Sequence, residues 1–252
     1  MKTFEEILIN RRSVRRYERQ AIEPEKLRFI YEAIRNTPTS YNGQQFSVIA
    51  VTDPEIKLKL YDIMGQKQVK TSAVFFLFCM DFHQLELAAK AKGVAFPEYQ
   101  DSLNGYTVGV VDATLAMHQA MVAAESQGLG TCCIGYARTA DPVKTSEILG
   151  LPGKVAIVCG LAVGVPSETP DLKPKRPVEL TVFENRYGAD GAITKGLLDY
   201  DQRVCQYNQE RAGDKTVNDW ASHILDYHEI EKTKAIEKYM EKQEIKVLPS
   251  KE

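Results

Sequence analysis

The stretch at residues 108–127 constrains the fold more than any other part of the sequence. It is 20 residues long and carries only two charged side chains, Asp112 near its start and Glu125 near its end. Alanine, methionine and valine predominate, and a typical strand is much shorter, at about 5–6 residues. A helix that is apolar nearly all round is buried. We therefore predict a central, buried helix here, which ends at Gly128 and Gly130.

Shorter elements are predicted on both sides of this helix. Apolar runs predict four strands, at residues 46–51, 73–80, 131–134 and 155–163. Helices are expected between them, because the Asp-Pro pairs at 53–54 and 141–142 are typical of helix starts. Strands and helices thus alternate in one compact body, and this alternation alone allows a parallel sheet.

The C-terminal part of the chain has a different character. Four prolines, at positions 166, 170, 174 and 177, predict an extended loop. From Tyr200 onward the chain is polar and helix-prone, more like an excursion that packs on another surface than an independent domain. We therefore predict a core at residues 1–185 and a helical extension at residues 186–252.

Charge and composition exclude several classes of function. Lys and Arg number 32 and Asp and Glu 34, so the net charge of −2 gives no overall case for binding nucleic acid or anionic membranes. No apolar run approaches the about 20 residues of a membrane span, and the N-terminus lacks the apolar core of a signal peptide. The five cysteines favour buried free thiols in a reducing cytoplasm over a disulfide framework.

The most distinctive short motif is the basic run at residues 11–16, Arg-Arg-Ser-Val-Arg-Arg. Arginine offers forked donors that suit phosphate oxygens, and Ser13 adds a hydroxyl donor. In an extended chain Arg11, Ser13 and Arg15 share one face, whereas Arg12 lies on the other. The alternative is a solvated basic surface, and the residues alone do not decide between the two.

Three further segments are candidates for ligand binding. The proline-stiffened segment at 171–177 carries Lys173 and Lys175 on one side, which suits either an anion clamp or a solvated linker. The loop at 37–45 is dense in hydroxyls and amides, which suit hydrogen bonds to a polar ring or plain turn formation. Small residues at 128–136 let a backbone approach a flat ligand, or simply end a helix before a buried strand.

Neither a metal centre nor a known nucleophile pattern is predicted. Cys132 and Cys133 are adjacent, which does not match the Cys-x-x-Cys spacing of redox enzymes, so we expect a structural role. The four histidines make no ligand spacing with cysteine or acid. The two common nucleotide-binding fingerprints, Gly-x-Gly-x-x-Gly and the Walker sequence, are absent.

Seven short strings occur in a fixed order along the chain. They are Arg-Arg-Ser-Val-Arg, Ser-Tyr-Asn-Gly-Gln-Gln, Gly-Gln-Lys-Gln-Val, Phe-Phe-Leu-Phe-Cys-Met-Asp-Phe, Gly-Val-Val-Asp-Ala, Ala-Ala-Glu-Ser-Gln-Gly-Leu-Gly-Thr and Pro-Asp-Leu-Lys-Pro-Lys-Arg-Pro. In this order they resemble the oxygen-insensitive, FMN-dependent nitroreductases of the NADPH-linked group, which includes the flavin reductases of luminous bacteria. The resemblance runs from about residue 4 to about residue 220.

The resemblance implies a fold that the alternation argument leaves open. Members of this group are homodimers of α+β subunits, each with a central, mainly antiparallel sheet wrapped by helices. Two FMN sites lie at the dimer interface, and the C-terminal extension embraces the partner subunit. We therefore expect an antiparallel sheet and a homodimer on the strength of the resemblance.

The resemblance also implies which residues bind FMN. Arg11 and Ser13 match ligands of the phosphate and ribityl chain, with Arg12 in the same run, and Arg15 matches the cation near the pyrimidine end of the flavin. The other matching positions are Lys173 and Lys175 in the phosphate clamp, Ser40 and Gln44 across the dimer interface, Gln66 as a further flavin contact, and the backbone at Ile134, Gly135 and Tyr136 along the isoalloxazine edge. Relatives usually have a small residue where Tyr136 stands.

The implied reaction follows from the cofactor. Arg211 resembles the arginine that receives the 2′-phosphate of NADPH. Hydride passes from NADPH to flavin N5, and a nitroaromatic, a quinone or a flavin then takes it in a ping-pong cycle. No metal, nucleic acid or membrane is implied. Two alternatives remain: a flavin reductase that supplies reduced FMN to a partner enzyme, and a flavin-binding redox sensor without turnover.

Overall fold

A computed structural model describes residues 3–212, 218–229 and 233–246 of the chain. Its centre is a four-stranded sheet of β1 (Phe46–Val51), β2 (Val74–Asp81), β3 (Gly130–Ile134) and β4 (Val155–Gly164). The strand order is β1-β2-β4-β3, and every neighbouring pair is antiparallel. The antiparallel sheet that the resemblance implied is thus confirmed, and the parallel sheet that alternation allowed is not formed.

Eleven α-helices occur in the described residues. In chain order they are α1 (Phe4–Ile9), α2 (Pro24–Arg35), α3 (Pro54–Met64), α4 (Lys67–Thr71), α5 (His83–Lys92), α6 (Leu103–Ser126), α7 (Tyr136–Thr139), α8 (Pro142–Leu149), α9 (Asp190–Ala212), α10 (Trp220–Glu229) and α11 (Thr233–Lys242). The helix starts predicted at the two Asp-Pro pairs are confirmed, because Asp53 and Asp141 accept hydrogen bonds from first-turn N–H groups of α3 and α8. None of these helices combines the length and the apolar character that crossing a membrane requires.

The long helix α6 is buried on one face only. Its alanines at positions 113, 116 and 120 are fully buried, and α6 packs against β2 and α2. Small side chains permit this close approach. Val111 and Leu115, however, remain 44% and 40% exposed. The prediction that this helix is buried all round is therefore wrong for a single chain, since α6 has a second apolar face that the described residues leave exposed.

Strand β2 is buried along its whole length, as its unbroken apolar run predicts. The reason is its position inside the sheet, where β1 pairs on one side and β4 on the other. Gly160 of β4 lies so close to Phe75 of β2 that a Cβ at this position would be 2.5 Å from the aromatic ring. Packing at the centre of the sheet therefore requires a glycine here.

The chain divides into two compact units. Residues 3–170 and 233–246 form the first unit, which contains the whole sheet, and residues 171–212 and 218–229 belong to the second, which contains α9 and α10. Helix α11 thus belongs with the sheet, although it lies near the end of the sequence. The predicted division into residues 1–185 and 186–252 is a different partition, and it stays a prediction.

A buried tyrosine attaches α11 to the sheet. The side chain of Tyr239 is 1% exposed, and its hydroxyl accepts hydrogen bonds from the N–H of Ile157 at 2.9 Å and from the hydroxyl of Ser146 at 3.0 Å. Ile157 lies in β4 and Ser146 in α8, and both are buried. A single hydroxyl group therefore satisfies two buried donors from two different elements.

Replacing Tyr239 by Phe should lower the free energy of unfolding by about 1–3 kcal/mol, because the buried N–H of Ile157 then has no acceptor. Urea unfolding followed by circular dichroism measures the change. Tyr187→Phe is the control, since Tyr187 is 79% exposed, and it should change stability by less than about 0.5 kcal/mol. Equal losses in the two variants would contradict the anchoring role of Tyr239.

Candidate functional site

The basic run lies in an extended segment that adds to the edge of the sheet. Ser13 forms a parallel bridge with Thr131 of β3, and the N–H of Val14 donates to the carbonyl of Thr131 at 2.8 Å. Further along, the N–H of Glu18 donates to the carbonyl of Val165, just after β4, at 2.9 Å. Backbone pairing at both ends thus holds this segment extended.

Alternation along the segment brings three predicted ligands together. Arg11 donates to the hydroxyl of Ser13 at 3.4 Å, and Arg15 donates to the carbonyl of Ser13 at 3.3 Å. Within the described part of the chain, neither guanidinium forms an ion pair with a carboxylate. In that part of the chain this face presents two positive charges that no carboxylate pairs with, an arrangement that suits an anionic ligand.

Arg12 lies on the opposite side of the segment. Its guanidinium donates to the carbonyl of Pro170 at 2.8 Å, and together with Val14 it lines a separate cavity. The side chain of Arg12 is therefore not part of the face formed by Arg11, Ser13 and Arg15. Its assignment to the cofactor stays a prediction.

Glu168 fixes the backbone at Arg15. One oxygen of its carboxylate accepts the N–H of Arg15 at 2.7 Å and the N–H of Arg16 at 3.1 Å. The other oxygen lies 3.7 Å from the Arg16 side chain. The sequence analysis missed Glu168, because a single acid in a proline-rich loop follows no pattern that would mark it.

A pair of glutamines lies beside β3. The Gln68 amide donates to the side-chain oxygen of Gln66 at 3.2 Å and contacts the sulfur of Cys132 at 3.9 Å. Burial raises the pKa of the Cys132 thiol, and the charges of Arg15 and Arg11 oppose that rise. Cys132 directly follows Thr131, the residue that pairs with Ser13. The structure thus places the predicted ligand Gln66 in the neighbourhood of the cationic face.

An open edge of backbone follows at the end of β3. A Cβ built on Gly135 would meet no atom within 4 Å, so a ligand can approach the backbone here. Tyr136 begins α7 and is 41% exposed. Ile134, the residue before Gly135, is buried at 3% exposure. It lies three positions beyond Thr131, which pairs with Ser13, so this end of β3 is about 10 Å along the strand from the cationic face.

Two predicted ligands lie in the polar loop before β1. Ser40 is half-buried at the start of a 3-10 turn (Ser40–Asn42), and Gln44 is exposed. In the described residues of one chain, no hydrogen bond joins this loop to the basic segment. The contribution of Ser40 and Gln44 across a dimer interface stays a prediction.

Three further predicted ligands belong to the second compact unit. Lys173 and Lys175 are exposed, and the hydroxyl of Tyr200 donates to the carbonyl of Pro174 between them at 3.1 Å. Arg211 is exposed in the last turn of α9. Their assigned contacts with FMN and NADPH stay predictions.

The cysteines form no disulfide and no metal site within the described part of the chain. All five are free thiols, and no group of His, Cys, Asp or Glu in the described ranges could hold a metal ion. Cys133 is exposed, so the prediction of buried thiols is wrong at this position. Desolvation nevertheless raises the pKa of Cys133 to about 11. The thiol is therefore protonated at neutral pH, which does not suit a nucleophile.

Two family models match this sequence. The model described as "Nitroreductase family" matches residues 8–165, and the one described as "Nitroreductase family, C-terminal domain" matches residues 173–247. The two matches together cover most of the chain, and they include the basic run, both lysines of the proline-rich segment and Arg211.

Curated relatives and solved structures agree with this match. The FMN reductase (NAD(P)H) of Bacillus subtilis is 35% identical over 241 residues, which is 95% of this chain and 96% of the relative. The oxygen-insensitive NADPH nitroreductase of Salmonella typhimurium is 34% identical over 222 residues, with 87% and 88% of the two chains covered. The solved structure of the NfrA1 nitroreductase from B. subtilis superposes with a TM-score of 0.93 at 30% identity, and covers 97% of this chain and 99% of its own.

Proposed function

The chain belongs to the nitroreductase family, and we propose that it is an NADPH-dependent FMN oxidoreductase. The observation that carries the proposal is the face of Arg11, Ser13 and Arg15, whose two guanidiniums have no carboxylate partner in the described part of the chain. The names of its relatives, an FMN reductase and an oxygen-insensitive NADPH nitroreductase, support the same cofactor and the same donor.

The residues present fit FMN at both ends of the molecule. Arg11 and Ser13 suit the phosphate, since a guanidinium binds phosphate oxygens through paired N–H donors and Ser13 adds a hydroxyl. The open backbone at Gly135 suits the flat ring, because a Cβ built there would meet no atom within 4 Å apart from the neighbouring residues of the chain. When bound, FMN supplies the redox chemistry, which is hydride transfer from NADPH to an acceptor.

The side chains around this site have three proposed roles: they bind the cofactor, orient it and stabilise the charge that it gains. The side chain of Arg15 presents a positive charge, and Glu168 holds the backbone of this residue in place. Arg15 is exposed in the chain alone. Where a bound flavin excluded water, such a charge would stabilise the negative charge that accompanies reduction. Gln66 offers an amide that Gln68 orients. The absence of an acid–base pair from the predicted site is consistent with this role, because water can supply the protons.

We assign the remaining contacts to the second unit and to a partner subunit. In this assignment Lys173 and Lys175 complete the phosphate clamp, and Arg211 receives the 2′-phosphate of NADPH. Ser40 and Gln44 reach the flavin of the other subunit. Membership of the family supports each of these roles, as do the positive charge or the hydrogen-bonding capacity of each side chain.

The proposed acceptors are nitroaromatics, quinones and flavins. An open face over a flavin admits many flat acceptors, and the two relatives named above carry the names of two different acceptor classes. A flavin reductase that supplies reduced FMN to a partner enzyme is therefore a second candidate. All five cysteines are free thiols, which supports a reducing cytoplasm as the proposed location.

We also propose that the protein is a homodimer. The outer face of α6 exposes Val111 and Leu115, at 44% and 40%. On α1, Phe4 is 63% exposed and Ile9 is 78% exposed. Exposed apolar faces of this kind mark interaction surfaces. A second copy of the chain would cover them, and the C-terminal extension is proposed to embrace that copy.

Steady-state oxidation of NADPH tests the proposed function. With FMN-loaded protein and varied NADPH and nitroaromatic or quinone, double-reciprocal plots should be parallel, because donor and acceptor use one site in turn. A higher kcat/KM for free FMN than for the other acceptors would favour the flavin reductase. Tight FMN binding without any oxidation of NADPH would contradict the proposal and favour a redox sensor.

The variant Arg15→Ala should weaken FMN binding or slow flavin reduction by about 10–100-fold, because a charge-assisted interaction is lost. Fluorescence titration measures the affinity, and anaerobic stopped-flow absorbance measures the reduction. Arg19→Ala removes an exposed arginine from the same region and should change neither quantity. Unchanged affinity together with an unchanged rate in Arg15→Ala would remove Arg15 from the site.

Light scattering after gel filtration tests the homodimer. The native protein should have a mass of about twice the chain mass of 28.3 kDa, and Leu115→Asp should reduce it towards 28.3 kDa. A charge inside an apolar interface has no partner, which is why the dimer should weaken. Leu58→Asp is the control, since Leu58 is 49% exposed on α3 and should leave the dimer intact. A native protein that elutes as a monomer would contradict the proposal.

A further inference from the structure

The carboxylate of Asp112 is buried in α6, and no role in the site has been assigned to it so far. Its side chain is 0% exposed. One oxygen accepts the N–H of Ser40 at 3.1 Å, and the other accepts the N–H of Gln45 at 3.2 Å. Burying a carboxylate is costly unless hydrogen bonds satisfy it. These two bonds therefore explain why an otherwise apolar helix retains this acid.

The loop that these bonds reach has a strained backbone. Tyr41, Asn42 and Gln44 have φ angles of 44°, 55° and 53°, in the left-handed region that residues other than glycine enter at a cost. Within the loop, the N–H of Gln44 donates to the hydroxyl of Thr39 at 3.2 Å. Such a backbone persists only where its surroundings hold it, and the bonds from α6 provide that support from outside the loop.

We propose that Asp112 is a positioning residue for the cofactor, which holds the loop at residues 39–45 in the shape that presents Ser40 and Gln44 to the flavin. This inference rests on the proposed function. One of its two bonds is to Ser40 itself, and the other is to Gln45, next to Gln44. The carboxylate therefore holds the loop at one proposed ligand and directly beside the other.

A carboxylate suits this position. The two groups that hydrogen-bond to Asp112 in the described residues are N–H donors, and a carboxylate offers them two acceptor oxygens. Asparagine has nearly the same shape but replaces one oxygen with an NH₂ group, which would face a backbone N–H. The variant Asp112→Asn thus keeps one of the two bonds and disrupts the other without leaving a cavity.

A double-mutant cycle on FMN affinity tests the proposal. The dissociation constant of FMN is measured by fluorescence for the native protein, Asp112→Asn, Ser40→Ala and the double variant. Asp112→Asn should weaken binding by about tenfold or more. Ser40→Ala should weaken binding in the native protein but have little further effect in Asp112→Asn, because Asp112 acts through Ser40.

Two results of the cycle would overturn the role of Asp112. One is unchanged FMN affinity in Asp112→Asn, and the other is independent effects whose fold-changes multiply in the double variant. Failure of the proposed function would look different, because the native protein itself would then bind no FMN.

Asp81→Asn is the matched control for a general loss of stability. Asp81 is also buried, at 7% exposure, and its carboxylate accepts hydrogen bonds from the hydroxyl of Ser47 and, at 3.2 Å, from the N–H of Gln84. The variant Asp81→Asn should lower the thermal midpoint of unfolding, as we also expect for Asp112→Asn. Its FMN affinity should stay within about twofold of that of the native protein. An equal loss of FMN affinity in the two variants would show that Asp112 only stabilises the fold, and it would overturn the positioning role.

Hydrogen exchange in the native holoprotein tests the same bonds if Asp112→Asn does not fold. The amide protons of Ser40 and Gln45 should exchange at least about tenfold more slowly than in an unstructured peptide, because hydrogen-bonded amides exchange only on local opening. Residue-resolved mass spectrometry or NMR gives both rates. Exchange of both amides at the unstructured rate would overturn the proposal.

Discussion

The proposed site depends on the pairing of the extended segment at residues 13–18 with the sheet. Hydrogen bonds to β3 at one end and to the stretch after β4 at the other make this segment strand-like, so its side chains must alternate. Arg11 and Arg15 therefore share a face with Ser13, opposite Val14. Gly130 permits this close approach, because a Cβ there would lie 2.8 Å from the Val14 side chain.

Much of the fold could be predicted from local patterns. The apolar run of β2 predicted a strand covered on both faces, and that is how it lies in the sheet. The direction of the strands could not be predicted this way, because a buried strand has the same composition in either type of sheet. It came instead from the resemblance. The partial exposure of α6 was missed because an apolar face has the same sequence whether its own chain or a second copy covers it.

The site was predictable only where it follows from local spacing. The period of two placed Arg11, Ser13 and Arg15 on one face. The support for that face was not predictable, because Glu168 lies 153 positions beyond Arg15 and the two meet only in the folded chain. Asp112 did leave a signal, as a lone acid at the start of an apolar stretch. Its hydrogen-bond partners are 72 and 67 positions away, however. The sequence therefore marked this acid as unusual but did not show which residues it contacts.

We propose that this chain binds FMN and reduces it with NADPH. The visible absorption spectrum of the FMN-loaded protein, recorded under anaerobic conditions before and after one equivalent of NADPH, tests this directly. We expect a protein-bound flavin spectrum that bleaches at once and returns when a quinone or nitroaromatic is added. A protein that retains no added FMN, or whose bound flavin keeps its colour with NADPH, would contradict it.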